Sequence, residues 1–432
     1  MNQFTFKVML LATCLALVSC QAPPVGPTGL LLGVQPDSRL VLAASKGDVT
    51  QVEALLKAGA NPNSRDRDGN TALLYAAVNG HRDIAELLIA HGADINAREI
   101  FHNRSALILA LSEKHEDVGE LLVAHGAAIN ASDQQGATPL FYAAEGDMEM
   151  MVELLVARGA DVNATLTDGA TPLGAATNKY MAEFLIAHGA DVKDSKAILG
   201  AAGRGHKDVV EALIAHGADV NARNKDGYTA LHNAANEEVT TLLIAHGADV
   251  NVKDSAGGPP LFRAAQLHKL DVAECLIAHG AAVNARMNDG RTPLFLALGG
   301  RSDMVNLLLA HGADVNAKNK NGETPLYIAV LSGNNLLLQR VAVAERLAAA
   351  NRGLTLPGLG PRKKEAEDTL ANFDSLIAAN RDIVNLLLAH GADVNAKNRN
   401  GETPLDAAKA KNNIDLVRLL ATHGAVSGTL GH

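Results

Sequence analysis

Residues 66–96 read DRDGNTALLYAAVNGHRDIAELLIAHGADIN, and this stretch decides the fold. It opens on the tight-turn pair Asp68-Gly69, in which glycine accepts the positive φ that such turns need. Thr71 then stands where a hydroxyl can cap the first turn of a helix. Two apolar triplets at helical spacing follow it, namely Leu73, Ala76, Ala77 and then Ile84, Leu87, Leu88. Gly92 ends the second helix, so the stretch predicts a turn followed by two short helices.

The same pattern recurs along most of the chain. The string AHGADVNA, or a close variant, places a Gly-Ala pair at eleven positions that are mostly about 33 residues apart. The glycines of these pairs are Gly59, Gly92, Gly126, Gly159, Gly189, Gly217, Gly247, Gly280, Gly312, Gly391 and Gly424. Two short helices cannot bury their own apolar face, so the repeats must stack on one another. The 432 residues therefore predict one repeat array rather than three separate globular domains.

A period near 33 residues, with Thr-Pro-Leu preceding the Gly-Ala pair in several repeats, resembles the ankyrin repeat. The resemblance covers residues 37–426. It implies an all-α solenoid of about eleven helix-turn-helix units with β-turn fingers, where a finger is the turn before the first helix of a repeat. It also implies that fingers and the concave face of the first helices recognise folded partner proteins.

Several repeats depart from the pattern. Repeats 5 and 7 have only 18 residues from Thr171 to Gly189 and from Thr229 to Gly247, against 21 from Thr71 to Gly92 in repeat 2. Repeat 6 lacks a finger, and repeat 8 has Pro259 in place of the capping threonine. We therefore expect residues 165–260 to be the least stable part of the array.

Repeat 10 contains an insert at about residues 334–379. Apolar residues recur at helical spacing on both sides of the segment LTLPGLGP, residues 354–361, which must interrupt a helix. The pattern predicts a helical hairpin with a basic tip ending in Arg362-Lys363-Lys364. The hairpin is either a partner-specific arm or a simple lengthening of the two helices of the repeat.

The first residues are predicted to be a targeting segment. Residues 1–19 have the basic residue Lys7 followed by a short apolar run, as a signal peptide does. The run ends in Leu17-Val18-Ser19-Cys20, which resembles a bacterial lipobox, and the resemblance implies lipidation of Cys20. Residues 20–36 are then a lipidated cysteine and a Pro/Gly-rich tether, and 427–432 are a C-terminal tail. The alternative is an ordinary secretory signal cut after Ala22.

The composition excludes several function classes. The chain has 38 basic and 47 acidic residues and only 3% aromatic residues, so neither a nucleic-acid interface nor a base-stacking platform is expected. Nine histidines each precede a terminal glycine and are separated by whole repeats, so we interpret them as helix-end residues rather than metal ligands. No convergent catalytic constellation is present. We expect no enzyme, no metal and no cofactor.

The candidate partner-binding residues are basic residues of the fingers and aromatic residues of the fingers and first helices. They are Arg65, Arg67, Tyr75, Arg98, Phe101, Tyr142, Arg223, Lys225, Tyr228, Arg286, Lys318, Lys320, Lys397 and Arg399. Further aromatic candidates are Phe141, Phe262, Phe295 and Tyr327. The basic residues of the fingers could equally reflect the ordinary composition of ankyrin fingers. Half or more of the aromatic residues could simply pack against the next repeat.

These observations predict a monomeric, lipid-anchored scaffold of the bacterial cell envelope that binds a partner protein. Gln21 follows the lipidated cysteine, and the absence of aspartate there favours the outer membrane, with the protein facing the periplasm. The alternatives are a structural or stress-related envelope scaffold without a dedicated partner, or a surface or secreted factor that acts on host proteins.

Overall fold

A computed structural model describes residues 36–299, 302–351 and 363–428. The predicted signal peptide, Cys20, most of the tether and the segment 354–361 lie outside the described residues. Over the described ranges the chain forms 22 helices and no extended strand. Two isolated bridges, Arg65 with Thr71 and Arg98 with Ser105, close two of the fingers. The all-α repeat fold with a helical insert is confirmed.

The described residues divide into two compact units, with the boundary between Gln134 and Gln135. The helices of the first unit are α1 Pro36–Lys46, α2 Val49–Lys57, α3 Ala72–Val78, α4 Arg82–Ala90, α5 Ala106–Ser112 and α6 Glu116–Ala124. The helices of the second unit are α7 Pro139–Glu145, α8 Glu149–Ala157, α9 Pro172–Ala175, α10 Lys179–Ala187, α11 Ser195–Arg204, α12 Lys207–Ala215, α13 Ala230–Asn233, α14 Glu237–Ala245, α15 Pro260–Leu267, α16 Leu270–Ala278, α17 Pro293–Ala297, α18 Ser302–Ala310, α19 Pro325–Asn351, α20 Lys363–Ala389, α21 Pro404–Ala410 and α22 Ile414–Thr422.

Local chemistry sets where each helix begins and ends. The Thr71 hydroxyl accepts a hydrogen bond from the amide of Leu74, which confirms the predicted cap of α3. The second helices end on the recurrent histidines. The ring of His91, for example, makes a 2.8 Å hydrogen bond from Nδ1 to the carbonyl of Leu87, one turn earlier. The histidines therefore serve helix ends, as their position in the sequence predicts.

Within each compact unit, first helices pack on first helices, and most second helices pack on second helices. In the N-terminal unit α1, α3 and α5 pack in sequence, as do α2, α4 and α6. Small alanine side chains allow close approach, and leucines such as Leu73, Leu107 and Leu122 are fully buried between the helices. Apolar burial of this kind supplies most of the stabilisation, but it is not directional.

An asparagine that recurs in seven of the repeats supplies the direction. Asn63 Nδ2 donates to the carbonyl of Gly92 at 3.0 Å, and Asn63 Oδ1 accepts from the amide of Asp94 at 2.6 Å. We call this two-bond contact from one repeat to the loop of the next the asparagine clamp. The same pair of bonds is made by Asn163, Asn221, Asn251, Asn284, Asn316 and Asn395.

The row of clamps is interrupted at residue 193. Lys193 occupies the position that Asn163 and Asn221 hold in the neighbouring repeats. The Lys193 amide still donates to the Asp191 carboxylate at 2.8 Å, as the Asn221 amide does to Asp219 at 2.9 Å, so the loop keeps its usual turn. A lysine ammonium has no acceptor. The loop after Gly217 therefore receives no clamp from repeat 5.

The short repeats are compensated by basic side chains from their neighbours. Helix α9 is only four residues long, and Arg204 of repeat 6 donates to the carbonyl of Gly174 at 3.3 Å, near its end. Arg204 also pairs with Glu145 at 3.2 Å. In repeat 7, Lys269 donates to the carbonyl of Ala234 at 2.8 Å, just after the four-residue helix α13. The predicted low stability of residues 165–260 stays a prediction, but carbonyls at the ends of both four-residue helices have hydrogen-bond partners.

Two glycines bring repeats 5 and 6 unusually close. A Cβ atom on Gly200 would lie 3.0 Å from the carbonyl oxygen of Gly174, which is tighter than normal packing allows. The sequence places glycine at both contacts, so α9 and α11 can pack backbone against backbone. This close approach replaces the contacts that a full-length first helix would make.

The insert consists of lengthened copies of the two helices of repeat 10. Helices α19 and α20 are each 27 residues long and pack along each other. Arg340 and Asp374 form an ion pair across them. At the base, the buried Asn334 donates to the carbonyl of Ala407 at 2.8 Å, which ties α19 to α21.

Among the described residues, Pro325–Ala348 is the one helical stretch that is long and apolar enough to cross a membrane, judged by length and composition. Its first turns hold Leu326, Tyr327 and Ala329, which are buried within the array. A buried helix of a soluble protein passes the same test. The described contacts therefore account for the apolar character of its first turns.

We predict that Lys193→Asn stabilises the protein, because an asparagine there can form the missing clamp on the loop after Gly217. Each new hydrogen bond contributes about 0.5–1.5 kcal/mol net. The measurement is the midpoint of urea unfolding followed by circular dichroism, with a higher midpoint expected for the variant.

The matched control is Asn221→Lys, which adds a second interruption one repeat along and should lower the midpoint by a similar amount. If neither substitution shifts the midpoint, the clamp does not contribute to coupling between repeats.

Candidate protein-binding surface

The fingers of repeats 7–11 form one continuous row. The amide of Ser255 donates to the carbonyl of Asp226 at 3.0 Å, which joins the fingers of repeats 7 and 8. The same type of bond joins each later pair of neighbouring fingers, through the amides of Asn288, Lys320 and Arg399 at 2.8–2.9 Å. Because repeat 6 has no finger, this row begins at residue 223. The longest continuous finger surface of the C-terminal compact unit therefore covers residues 223–402.

Five of the predicted basic residues bridge neighbouring fingers, and a sixth, Lys397, bonds to the segment that follows repeat 11. Arg98 Nη1 donates to the carbonyl of Ser132 at 2.7 Å, and Arg286 Nη1 donates to the carbonyl of Lys318 at 2.7 Å. Equivalent bonds to a carbonyl one repeat later are made by Arg65, Arg223, Lys318 and Lys397. These bonds leave further N–H groups on the arginines. The prediction that these six residues bind a partner is untested, and each of them already bonds to a backbone carbonyl further along the chain.

The other four predicted basic residues are free at the tips. Arg67, Lys225, Lys320 and Arg399 lie two residues after a bridging residue and are exposed. Within the described part of the chain, none of their side chains makes a hydrogen bond or an ion pair. Three of the four belong to the row of repeats 7–11. These tips carry the positive charge that a partner would meet first.

The acidic residues beside them partly serve the finger turns. Asp66 Oδ1 accepts from the amides of Asp68 and Asn70 at 3.0 and 2.8 Å. Asp254 accepts in the same way from the amides of Ala256 and Gly258, both at 2.8 Å. These carboxylates accept hydrogen bonds that close the finger turns. Their presence in the fingers is therefore explained by turn geometry as well as by charge.

The predicted aromatic residues divide into exposed and buried groups. Phe101 is 68% exposed, whereas the rings of Tyr75, Tyr142 and Tyr228 are half-buried. Tyr75 donates its hydroxyl to Asp66 at 2.8 Å, and burial raises the pKa of Tyr75 to about 12. Arg263 lies 5.1 Å from the centre of the Tyr228 ring, a cation–π contact. The further candidates Phe141, Phe262, Phe295 and Tyr327 are buried, as the packing alternative predicts.

Ile100 is an exposed apolar residue that sequence reasoning missed. It precedes Phe101 at the tip of the longer finger of repeat 3 and is 66% exposed. Its side chain covers Gly69, where a Cβ atom would lie 2.0 Å from the Ile100 Cδ1 atom. Gly69 also has a positive φ of 79°. Glycine at this position therefore serves both the turn and the approach of the next finger.

A shallow depression of about 310 Å³ lies between the fingers of repeats 9 and 10. Its floor is apolar, with Phe295 and Ile328, and its rim is charged, with Arg291, Lys320 and Glu323. A second depression, of about 290 Å³, lies where repeat 6 lacks a finger and includes Asp191 and Asp194 in its lining. Over the described ranges no group of three or more His, Cys, Asp and Glu side chains could hold a metal ion.

His232 is a structural histidine. Its Nδ1 atom accepts from the amide of Thr229 at 3.1 Å, and its Nε2 atom lies 3.2 Å from the carbonyl of Gly258. This pattern fits a neutral ring protonated on Nε2 that braces the fingers of repeats 7 and 8. Burial lowers the pKa of His232 and also the pKa values of His206 and His268.

The family model of ankyrin repeats in sets of three matches the chain repeatedly. The matched residues are 40–133, 99–166, 120–196, 173–254, 235–319, 261–349 and 372–429. These ranges cover well over half of the chain, and the chain belongs to the ankyrin-repeat family. Ankyrin repeats are protein-interaction scaffolds, and the fold is typically non-catalytic.

Known proteins resemble the chain over two or so repeats. It is 48% identical over 63 residues, 14% of its length, to ankyrin repeat domain-containing protein 49 of Bos taurus, covering 26% of that protein. It is 45% identical over 67 residues to the 2-5A-dependent ribonuclease of Mus musculus, covering 15% of this chain and 9% of that protein. It is 39% identical over 69 residues to the cyclin-dependent kinase 4 inhibitor B of Mus musculus, covering 16% of this chain and 52% of that protein. The chain thus spans between a tenth and about half of these relatives.

We predict that the protein loses stability as the pH falls through the histidine range. The folded state holds His232, His206 and His268 with lowered pKa values, so the unfolded chain takes up protons first. Stability should therefore be complete above the ordinary pKa of about 6.5 and should decline below it. The measurement is the melting temperature between about pH 7.5 and pH 5.5, values chosen to bracket that pKa.

The informative variant is His232→Asn, since the asparagine Oδ1 can still accept from the Thr229 amide but cannot become charged. Its melting temperature should fall less over the same pH range than that of the wild type. An equal fall in both proteins would show that His232 does not contribute to the pH dependence.

Proposed function

We propose that this protein is a lipid-anchored scaffold that captures a partner protein with the finger row of repeats 7–11. The observation that carries the proposal is the continuity of that row, in which backbone hydrogen bonds join five fingers into one surface. A surface held by neighbouring fingers is preorganised, which reduces the entropy lost on binding. Specificity then comes from the side chains that the row presents.

The chemistry of the row favours a partner with an acidic patch beside an apolar group. Lys225, Lys320 and Arg399 are exposed at its tips, and the bridging residues behind them are basic as well. The depression between the fingers of repeats 9 and 10 has the partly exposed Ile328 on its floor, beside Phe295, which is largely buried. Interface energy concentrates on such central apolar contacts, while rim charges steer association.

The anchor is proposed from the sequence. Cys20 ends an apolar run of the length found in signal peptides, within the string Leu17-Val18-Ser19-Cys20. Two or three acyl chains on this cysteine would hold the protein stably at a membrane. The tether of residues 20–36 would then separate the repeats from the lipid surface of the bacterial envelope. We propose further that the protein is delivered to the outer membrane, faces the periplasm and is monomeric.

The test of partner capture is the triple variant Lys225→Glu/Lys320→Glu/Arg399→Glu. We expect this variant to lose the partner, because three exposed charges of the row are reversed while none of these side chains bonds to the rest of the described structure. The measurement is affinity purification from detergent-solubilised envelope, followed by quantitative mass spectrometry of wild type and variant. A specific partner should fall about tenfold or more, as expected when hot-spot contacts are lost.

The matched control is Lys207→Glu/Arg381→Glu/Lys411→Glu, which reverses three exposed basic residues on helices and loops away from the fingers. Partners that bind through the finger row should survive the control and be lost in the test variant. Equal loss in both variants would reject the finger row as the binding site. Absence of any reproducible partner would favour the structural scaffold without a dedicated partner.

We predict that Cys20→Ala removes the anchor. The variant should leave the membrane fraction, or accumulate as an uncleaved precursor, because no thiol is available for the lipid. Fractionation of cells and mass measurement of the mature protein check this outcome. A wild-type protein that is fully soluble and unmodified would overturn the proposed anchor and leave the finger proposal intact.

A further inference from the structure

One position of the second helices departs from its pattern in two adjacent repeats. Nine residues before the terminal glycine, in the first turn of the second helix, most repeats carry an exposed acidic residue. These residues are Asp83, Asp117, Asp208, Glu238, Asp271, Asp303, Asp382 and Asp415. An acidic residue in the first turn stabilises a helix through the helix dipole. Repeats 4 and 5 have Met150 and Tyr180 at this position instead, and repeat 1 has the small polar Thr50.

Both replacements are large apolar side chains exposed to solvent. Met150 on α8 is 70% exposed, and Tyr180 on α10 is 52% exposed. Most large apolar side chains of the described array are buried, so this exposure is not a by-product of the repeat pattern. The first turn of α10 has no acidic residue at all, whereas α8 keeps Glu149 in its first turn. Both repeats thus gain an exposed apolar side chain, and repeat 5 also lacks a stabilising charge at the start of its second helix.

The tyrosine is held in a fixed orientation. Its hydroxyl donates to the Glu153 carboxylate on α8 at 2.5 Å, which links the two second helices across the surface. Its ring stacks on Phe184, with 6.5 Å between the ring centres and 28° between their planes. Phe184 in turn lies 4.2 Å from the ring of His188. A preorganised aromatic side chain of this kind loses little entropy on binding.

The charges around the patch are mostly acidic. Helices α8 and α10 expose Glu149, Glu153 and Glu183 against the single Lys179. Lys179 pairs with Glu183 at 3.7 Å, which leaves Glu149 and Glu153 without a basic partner on these helices. An apolar patch with an acidic rim is complementary to apolar side chains flanked by basic ones.

We propose that Met150, Tyr180 and Phe184 form a second docking surface, separate from the fingers, for a protein segment that presents apolar side chains between lysine or arginine residues. The surface belongs to the second helices of repeats 4 and 5. It does not depend on the finger row, so a substitution on one surface could abolish binding there without affecting binding at the other.

The test uses the full chain and a synthetic, labelled 18-residue peptide of leucine and lysine at helical spacing, with binding measured by fluorescence anisotropy. The variant is Met150→Asp/Tyr180→Asp, which restores the acidic residue that most other repeats carry. Because the variant loses the contacts of Tyr180 with Glu153 and Phe184, its melting temperature is measured first, and binding is compared well below that temperature. We expect the variant to bind the peptide about tenfold more weakly, the loss typical of removing an anchor side chain.

Charge alone predicts the opposite result, because the variant is more negative than the wild type. Unchanged or tighter binding by the variant would therefore overturn the proposal. A peptide of serine and lysine with the same charge should bind weakly to both proteins. The control variant Asp303→Ala, in α18, should bind the leucine-lysine peptide as the wild type does.

The remaining occupant to exclude is a second copy of the chain. Sedimentation of the wild type over a range of concentrations measures this directly. Self-association that disappears in Met150→Asp/Tyr180→Asp would assign the patch to a dimer and overturn the proposed partner chemistry. A monomer at all concentrations, together with the peptide result, supports it.

Discussion

The asparagine clamp is the contact on which the regular spacing of the repeats depends. Leucine and alanine side chains supply the apolar burial that stabilises the array, but burial has no preferred direction. Short, alanine-rich helices could pack in more than one register. The clamp removes this freedom, because Asn221, for example, must meet both the carbonyl of Gly247 and the amide of Asp249, at 3.0 and 2.9 Å. Each clamp therefore fixes the position of one loop relative to the next.

The finger row is a consequence of that register. Because the loops of repeats 7–11 are clamped in sequence, their fingers come close enough for backbone amides to reach the carbonyls of the preceding finger. The bridging side chains of Arg223, Arg286 and Lys318 then span to the next finger. Where repeat 6 lacks both a finger and an incoming clamp, the row stops. The asparagine clamps that fix the register of the repeats therefore also determine where the candidate partner surface begins.

Much of the fold could be predicted from the sequence because it depends on local and periodic signals. Thr71 and Gly92 mark the helix ends in the sequence, and the apolar spacing of the insert predicts helices on both sides of residues 354–361. The period of about 33 residues predicts that the repeats stack, because no single pair of helices can bury its own apolar face.

The rest depended on contacts between residues far apart in the chain. Arg65 and Arg67 look alike in the sequence, yet one bridges two fingers and the other is free at a tip. The partners of the short helices, Arg204 and Lys269, come from neighbouring repeats and leave no local signal. Met150 and Tyr180 could have been found from the sequence. When the repeats are aligned on the terminal glycine, these two residues stand where most repeats have an acidic residue.

Hydrogen exchange at the loop amides, followed residue by residue by NMR, tests the role of the clamp most directly. The amides of Asp191, Asp249 and Asp393 donate to a clamp asparagine, whereas Asp219 lies in the loop that Lys193 cannot clamp. An amide with a hydrogen-bond partner exchanges only when that bond opens. The account predicts that the Asp219 amide exchanges much faster than the other three. Equal protection of all four amides would contradict it, because the loops would then be held in register by packing alone.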